Sequence, residues 1–60
     1  MRFRITKSRD GQFYFEIQSA GNYETLATSE RYTTKAACLQ AIDLILAGVK
    51  SAVVDDRSEK

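Results

Sequence analysis

Between Ala36 and Gly48 only two side chains, Gln40 and Asp43, are polar. Cys38, Ala41, Ile42, Ile45 and Val49 recur at helical spacing and make one apolar stripe. Leu39 and Leu46 stand one heptad apart on a second face, and Leu44 points elsewhere again. A helix that is apolar on several sides has to be covered on several sides. In a chain of 60 residues, one small sheet covers a single face. The pattern therefore predicts a helix over Thr34–Ala47 whose remaining apolar surface meets a second copy of the chain. Fully burying a leucine is worth about 1.5–3 kcal/mol, and total stabilities are only about 5–15 kcal/mol. Leaving Leu39, Leu44 and Leu46 in water would forfeit a large share, so these are the candidate dimer interface.

The length allows one domain, placed at residues 1–55, with a charged tail over 56–60. A domain this small buries only about 60% of its unfolded surface and needs a further source of stability. Cys38 is the single cysteine, which excludes an internal disulfide, and the absence of histidine argues against a metal. Oligomerisation remains, in agreement with the helix. Cys38 itself reads as a small core residue. One cysteine without a partner fits a reducing cytosol, so the expected location is cytoplasmic. Met1–Lys7 alternates and is not a signal peptide, and no apolar run reaches the ~20 residues a membrane helix needs. With a net charge of +1, no global field calls for an acidic partner.

In Met1–Lys7, Met1, Phe3 and Ile5 alternate with Arg2, Arg4 and Thr6, the pattern of a half-buried strand. Asp10-Gly11 supplies the positive φ of a tight turn. Gln12–Ser19 alternates again, with Phe13, Phe15 and Ile17 inward against Tyr14, Glu16 and Gln18. After Ala20-Gly21-Asn22 comes a third strand near Tyr23–Ser29, with Leu26 and Thr28 inward. Thr33 or Thr34 caps the helix, Gly48 ends it as a left-handed residue, and Ala52–Asp55 reads as a short fourth strand. The expected fold class is α+β: a three-stranded antiparallel sheet, one helix packed on it and a short fourth strand. Its core would hold Phe3, Ile5, Phe13, Phe15, Ile17, Leu26, Cys38, Ile42 and Ile45.

Asp10-Gly11-Gln12-Phe13-Tyr14-Phe15, Ala27-Thr28-Ser29-Glu30 with Tyr32, and Thr34-Lys35-Ala36-Ala37-Cys38 with Ala41-Ile42 follow one another at informative spacing. This ordered set resembles the YegP-like small bacterial proteins, known as domain of unknown function 1508, over roughly Phe3–Asp55. The chain departs from the family pattern at Arg31, where glycine is common, and at Gly21-Asn22, where Asn-Gly is frequent. The helix end, Leu44–Ala47, is also more apolar than the usual lysine-rich one. The resemblance implies three antiparallel strands, a helix and a final strand, usually as a homodimer. It implies no catalytic or binding residues.

No catalytic residue is expected. The chain has no histidine, phosphate loop, informative carboxylate pair or nucleophile motif. Asp55-Asp56 reads as a solvated end, and Ser29-Glu30 before Tyr32 as the turn into the helix. Arg2 and Arg4 share the outward face of the first strand, near Lys7 and Arg9, with Tyr14 beside them. Cations next to an aromatic on a sheet form a stacking platform in some single-strand binders, so Arg2, Arg4 and Tyr14 are the candidate ligand face. Glu16 on the same face and the near-neutral charge weigh against nucleic acid. A non-catalytic interaction or assembly module, homodimeric and without cofactor, metal or membrane partner, ranks first.

Overall fold

The structure is a computed structural model of the chain and describes residues 1–58. Strand β1 (Arg2–Lys7), β2 (Phe13–Gln18) and β3 (Thr25–Thr28) form an antiparallel sheet in the order β1-β2-β3. Helix α1 (Lys35–Gly48) follows and runs into a 3₁₀ turn, Val49–Ser51. The α+β class and the three-stranded sheet with one helix are as the sequence predicts.

The first hairpin turns as its residues dictate. The Gly11 amide donates to the Ser8 carbonyl at 3.0 Å, the Ser8 amide donates to the Gln12 carbonyl at 2.7 Å, and Gly11 takes φ +88°. Asp10 tightens the loop by accepting from the Ser8 hydroxyl and, at 3.2 Å, from the Gln12 amide. In the second turn Gly21 has φ +85° and Tyr23, not a glycine, has φ +57°. Asn22 secures it by accepting from the Ser19 hydroxyl at 2.8 Å and the Glu24 amide at 3.2 Å. Arg31, where the resemblance implies glycine, is outside the positive-φ set.

Register places Phe3 opposite Ile17 and Ile5 opposite Phe15, and these side chains meet the helix. Phe15, Cys38 and Ile42 are buried, with Phe3, Ile5, Phe13, Ile17, Ala41 and Ile45 packed around them. The rings of Phe3 and Phe15 lie 5.9 Å apart and tilted by 50°, a favourable aromatic pairing. Cys38 is wholly enclosed, and burial pushes its thiol above the ordinary value. The neutral thiol fills space, in keeping with a core role.

Five expectations need correcting. Leu26 is 57% exposed and outside the core. Opposite β2, Ile17 pairs with Ala27 and Gln18 with Thr25, so Leu26 falls at a bulge without a partner. The same register puts Thr28 opposite Glu16, on the open face of the sheet. Val49, placed in the helical stripe by spacing, is half exposed because the backbone has tightened into the 3₁₀ turn there. Gly48 has φ −109°, a right-handed value, so the helix is not stopped by a left-handed residue. Finally, no strand forms at Ala52–Asp55 among the described residues. The chain leaves the 3₁₀ turn extended at Ala52 and makes no ladder bonds to the sheet. Glu59 and Lys60, part of the predicted charged tail, lie outside the described residues.

Thr34 starts the helix, with extended backbone and a hydroxyl that accepts from the Ala37 amide at 3.1 Å. No acidic residue supports the first turn, so this cap alone offsets the orphan donors there. Replacing Thr34 with alanine is expected to cost about 1 kcal/mol, read as a lower urea midpoint at unchanged slope. An unchanged midpoint would show that the cap contributes nothing.

Candidate functional site

Two surfaces hold the residues singled out from the sequence. On the helix, Leu39, Leu44 and Leu46 are 43%, 70% and 56% exposed. At about 100° per residue, Leu39 and Leu46 fall within about 20° of each other, while Leu44 lies about 140° round the helix from Leu39. The core stripe of Cys38 and Ile42 turns towards the sheet, which leaves the Leu39 and Leu46 edge beside it uncovered. Further along the chain, Val53 and Val54 stand 85% and 95% exposed, outside any helix or strand.

On the sheet, Arg2 pairs across with Gln18, Arg4 with Glu16, and Thr6 with Tyr14. These residues share the face opposite the core. Arg2 is engaged within the chain: its Nε donates to Gln18 Oε1 at 2.8 Å, and its guanidinium sits 3.7 Å from the centre of the Tyr23 ring. Gln18 in turn donates to the Thr25 hydroxyl at 3.4 Å and is buried, although alternation placed it among the outward polar residues. Arg4, by contrast, remains exposed opposite Glu16.

Tyr14 meets a residue that alternation gave no reason to place there. Phe13 and Tyr32 exchange backbone hydrogen bonds, 2.7 Å each way, in an isolated antiparallel bridge. The bridge draws Tyr32 into the core margin and sets Arg31 beside β2, its guanidinium 4.5 Å from the Tyr14 ring centre. Ser29 reinforces this approach: its hydroxyl accepts from the Phe15 amide at 2.9 Å and donates to the Glu30 carbonyl at 2.8 Å. Ser29 is therefore a backbone clasp, and both its hydroxyl roles are filled. Tyr32 has its phenol pKa raised above the ordinary value by burial and by the nearby Glu30.

Elsewhere the chemistry is sparse. Asp55 forms an exposed ion pair with Arg57 at 3.3 Å, and Asp56 accepts from the Ser58 amide and hydroxyl, which lowers its pKa. No group of three metal-ligating side chains comes together among the described residues. No helix among them is long and apolar enough to cross a membrane.

Comparison with known proteins gives one consistent answer. The family described as "Domain of unknown function (DUF1508)" matches residues 8–56. The chain is 50% identical over 40 residues to the UPF0339 protein YegP of Shigella flexneri, covering 67% of this chain and 36% of that one. It thus spans about a third of the YegP relatives it matches. A UPF0339 protein of Treponema denticola is 36% identical over 53 residues, covering 88% of this chain and 90% of the relative. With the ordered turn, strand and helix pieces in place and most of the chain matched, the protein belongs to the YegP-like DUF1508 family, whose function is unknown.

Proposed function

We propose that the chain is a non-catalytic assembly module that works as a homodimer. The observation carrying this reading is the surface left bare by a single chain. The accessible surface is 5023 Å², whereas a compact folded protein of 6.8 kDa exposes about 4,000 Å². That surplus combines the exposed segment 52–58 with the bare leucines of the helix, the apolar surface a partner would cover.

Leu39 and Leu46 are the centre of the proposed interface, with Leu44 reaching it from a second face. Ala52–Asp55 supplies the missing fourth strand in the same assembly. Its valines are bare, and both outer strands of the sheet, β1 and β3, have free edges to receive it. The YegP relatives are long enough to hold two units of this size in one chain, which a two-unit assembly would favour. Nucleic-acid binding through Arg2, Arg4 and Tyr14 is less well supported. Arg2 and Arg31 already cover Tyr23 and Tyr14, and stacking needs open ring faces.

Melting at several concentrations tests the reading. A dimer that unfolds to separate chains gains stability with concentration by mass action. The midpoint is expected to rise by several degrees between micromolar and millimolar chain. A midpoint independent of concentration would overturn the proposal.

A further inference from the structure

The open face of the sheet carries a concavity of about 550 Å³ at the first hairpin, lined by Lys7, Ser8, Arg9, Asp10, Tyr14 and Arg31. Cationic residues from two separate parts of the chain line it. Lys7 and Arg9 come from the hairpin, and the Phe13–Tyr32 bridge brings Arg31 across to join them. Among the described residues none of the three forms an ion pair, the single such pair being Arg57 with Asp55. Asp10, the one carboxylate in the lining, already accepts from the Ser8 hydroxyl and the Gln12 amide. Those bonds, with a smaller contribution from Arg31, hold its pKa below the ordinary value, so it stays charged as part of the turn. The lining keeps a net positive charge, although the whole chain carries only +1.

Arg31 is also partly ordered before any ligand arrives. The Arg31 guanidinium rests on the Tyr14 ring, whereas the Lys7 ammonium lies 5.7 Å from the centre of the Phe13 ring, towards the core side of the sheet. Stacking on a ring fixes the guanidinium plane while leaving its N–H donors free, which lowers the ordering cost of binding. Guanidinium groups match the geometry of a phosphate oxygen pair, and a lysine adds a mobile point charge.

We propose that Arg9 and Arg31, with Lys7 at its edge, form a binding site for a phosphate group on the open face of the sheet. A phosphate ester of a small molecule and a phosphate of a nucleic-acid backbone share this chemistry. The site stands apart from the helix and does not depend on the homodimer.

Amide and arginine side-chain NMR shifts of the full chain, titrated at low salt with inorganic phosphate and separately with a short oligothymidylate, test the proposal. Saturable shifts are expected at Ser8–Gly11 and at the Arg31 side chain with phosphate. Arg9→Ala and Arg31→Ala should each weaken binding about tenfold, as loss of a charge-assisted bidentate contact does. Lys50→Ala, which removes a charge from the end of the helix, should leave affinity unchanged. If the oligothymidylate binds through the same residues more than tenfold tighter than phosphate, the site reads a nucleic-acid backbone; otherwise its ligand is a small phosphate ester. Arg9 is exposed on the turn, so its variant keeps the test sound even if loss of Arg31 disturbs the fold. Absence of saturable shifts with both ligands, or equal weakening by Lys50→Ala, would overturn the proposal.

Discussion

Replacing Phe15 with alanine is expected to leave the chain largely unfolded at 25 °C. Phe15 is 3% exposed and stands at the centre of the core, against Phe3 on the sheet and with Cys38 and Ile42 in the buried cluster. Truncating a buried phenylalanine costs about 3–5 kcal/mol, from lost transfer and from the cavity left behind. A 60-residue chain has little more than that in reserve. Urea denaturation followed by circular dichroism reads the loss directly. Phe15→Leu, which keeps much of the volume, should retain a cooperative transition at a lower midpoint. A loss below about 1 kcal/mol for the alanine variant would show that Phe15 is not central to the packing.

The second large effect is expected at the helix surface. Changing Leu39 and Leu46 together to glutamate should dissociate the dimer while leaving Cys38 and Ile42 in the core. Both leucines lie outside the buried cluster, so the substitution opens no cavity within one chain. Each copy would set two carboxylates against an apolar partner surface, and by symmetry against those of the other copy. Loss of the leucine burial alone is worth about 1.5–3 kcal/mol per side chain. Association should therefore weaken by at least about a thousandfold, measured by sedimentation equilibrium across concentration. Unchanged association would place the interface elsewhere, and the pair would then be ordinary exposed side chains.

Local pattern carries much of this fold. The alternation of Phe3 and Ile5, and of Phe13, Phe15 and Ile17, states which face of each strand is covered, and the structure agrees. Asp10-Gly11 announces its turn through the one residue that takes φ +88° there without strain. Thr34 announces the helix by the same local logic. Leu26 was misread because a bulge shifts register by one residue, and a period-two pattern has no means of showing that. Tyr32 was missed for a related reason. Its place in the core margin comes from a bridge to Phe13, a pairing 19 positions away in sequence.

The surfaces divide in the same manner. Excess leucine on the helix is visible as periodicity, so Leu39, Leu44 and Leu46 could be named without coordinates. Arg31 could not be, since only the Phe13–Tyr32 register sets it over Tyr14. Alternation makes Arg2 a free cation, yet its Nε donates to Gln18 and its guanidinium lies over Tyr23. Ala52–Asp55 carries strand-forming residues, but a strand needs a neighbour, and none reaches it among the described residues.

Sedimentation velocity of the unmodified chain over micromolar concentrations tests the homodimer most directly. The expected result is a species of twice the 6.8 kDa of one chain, dissociating only on dilution. A stable, folded species of 6.8 kDa throughout that range would contradict it.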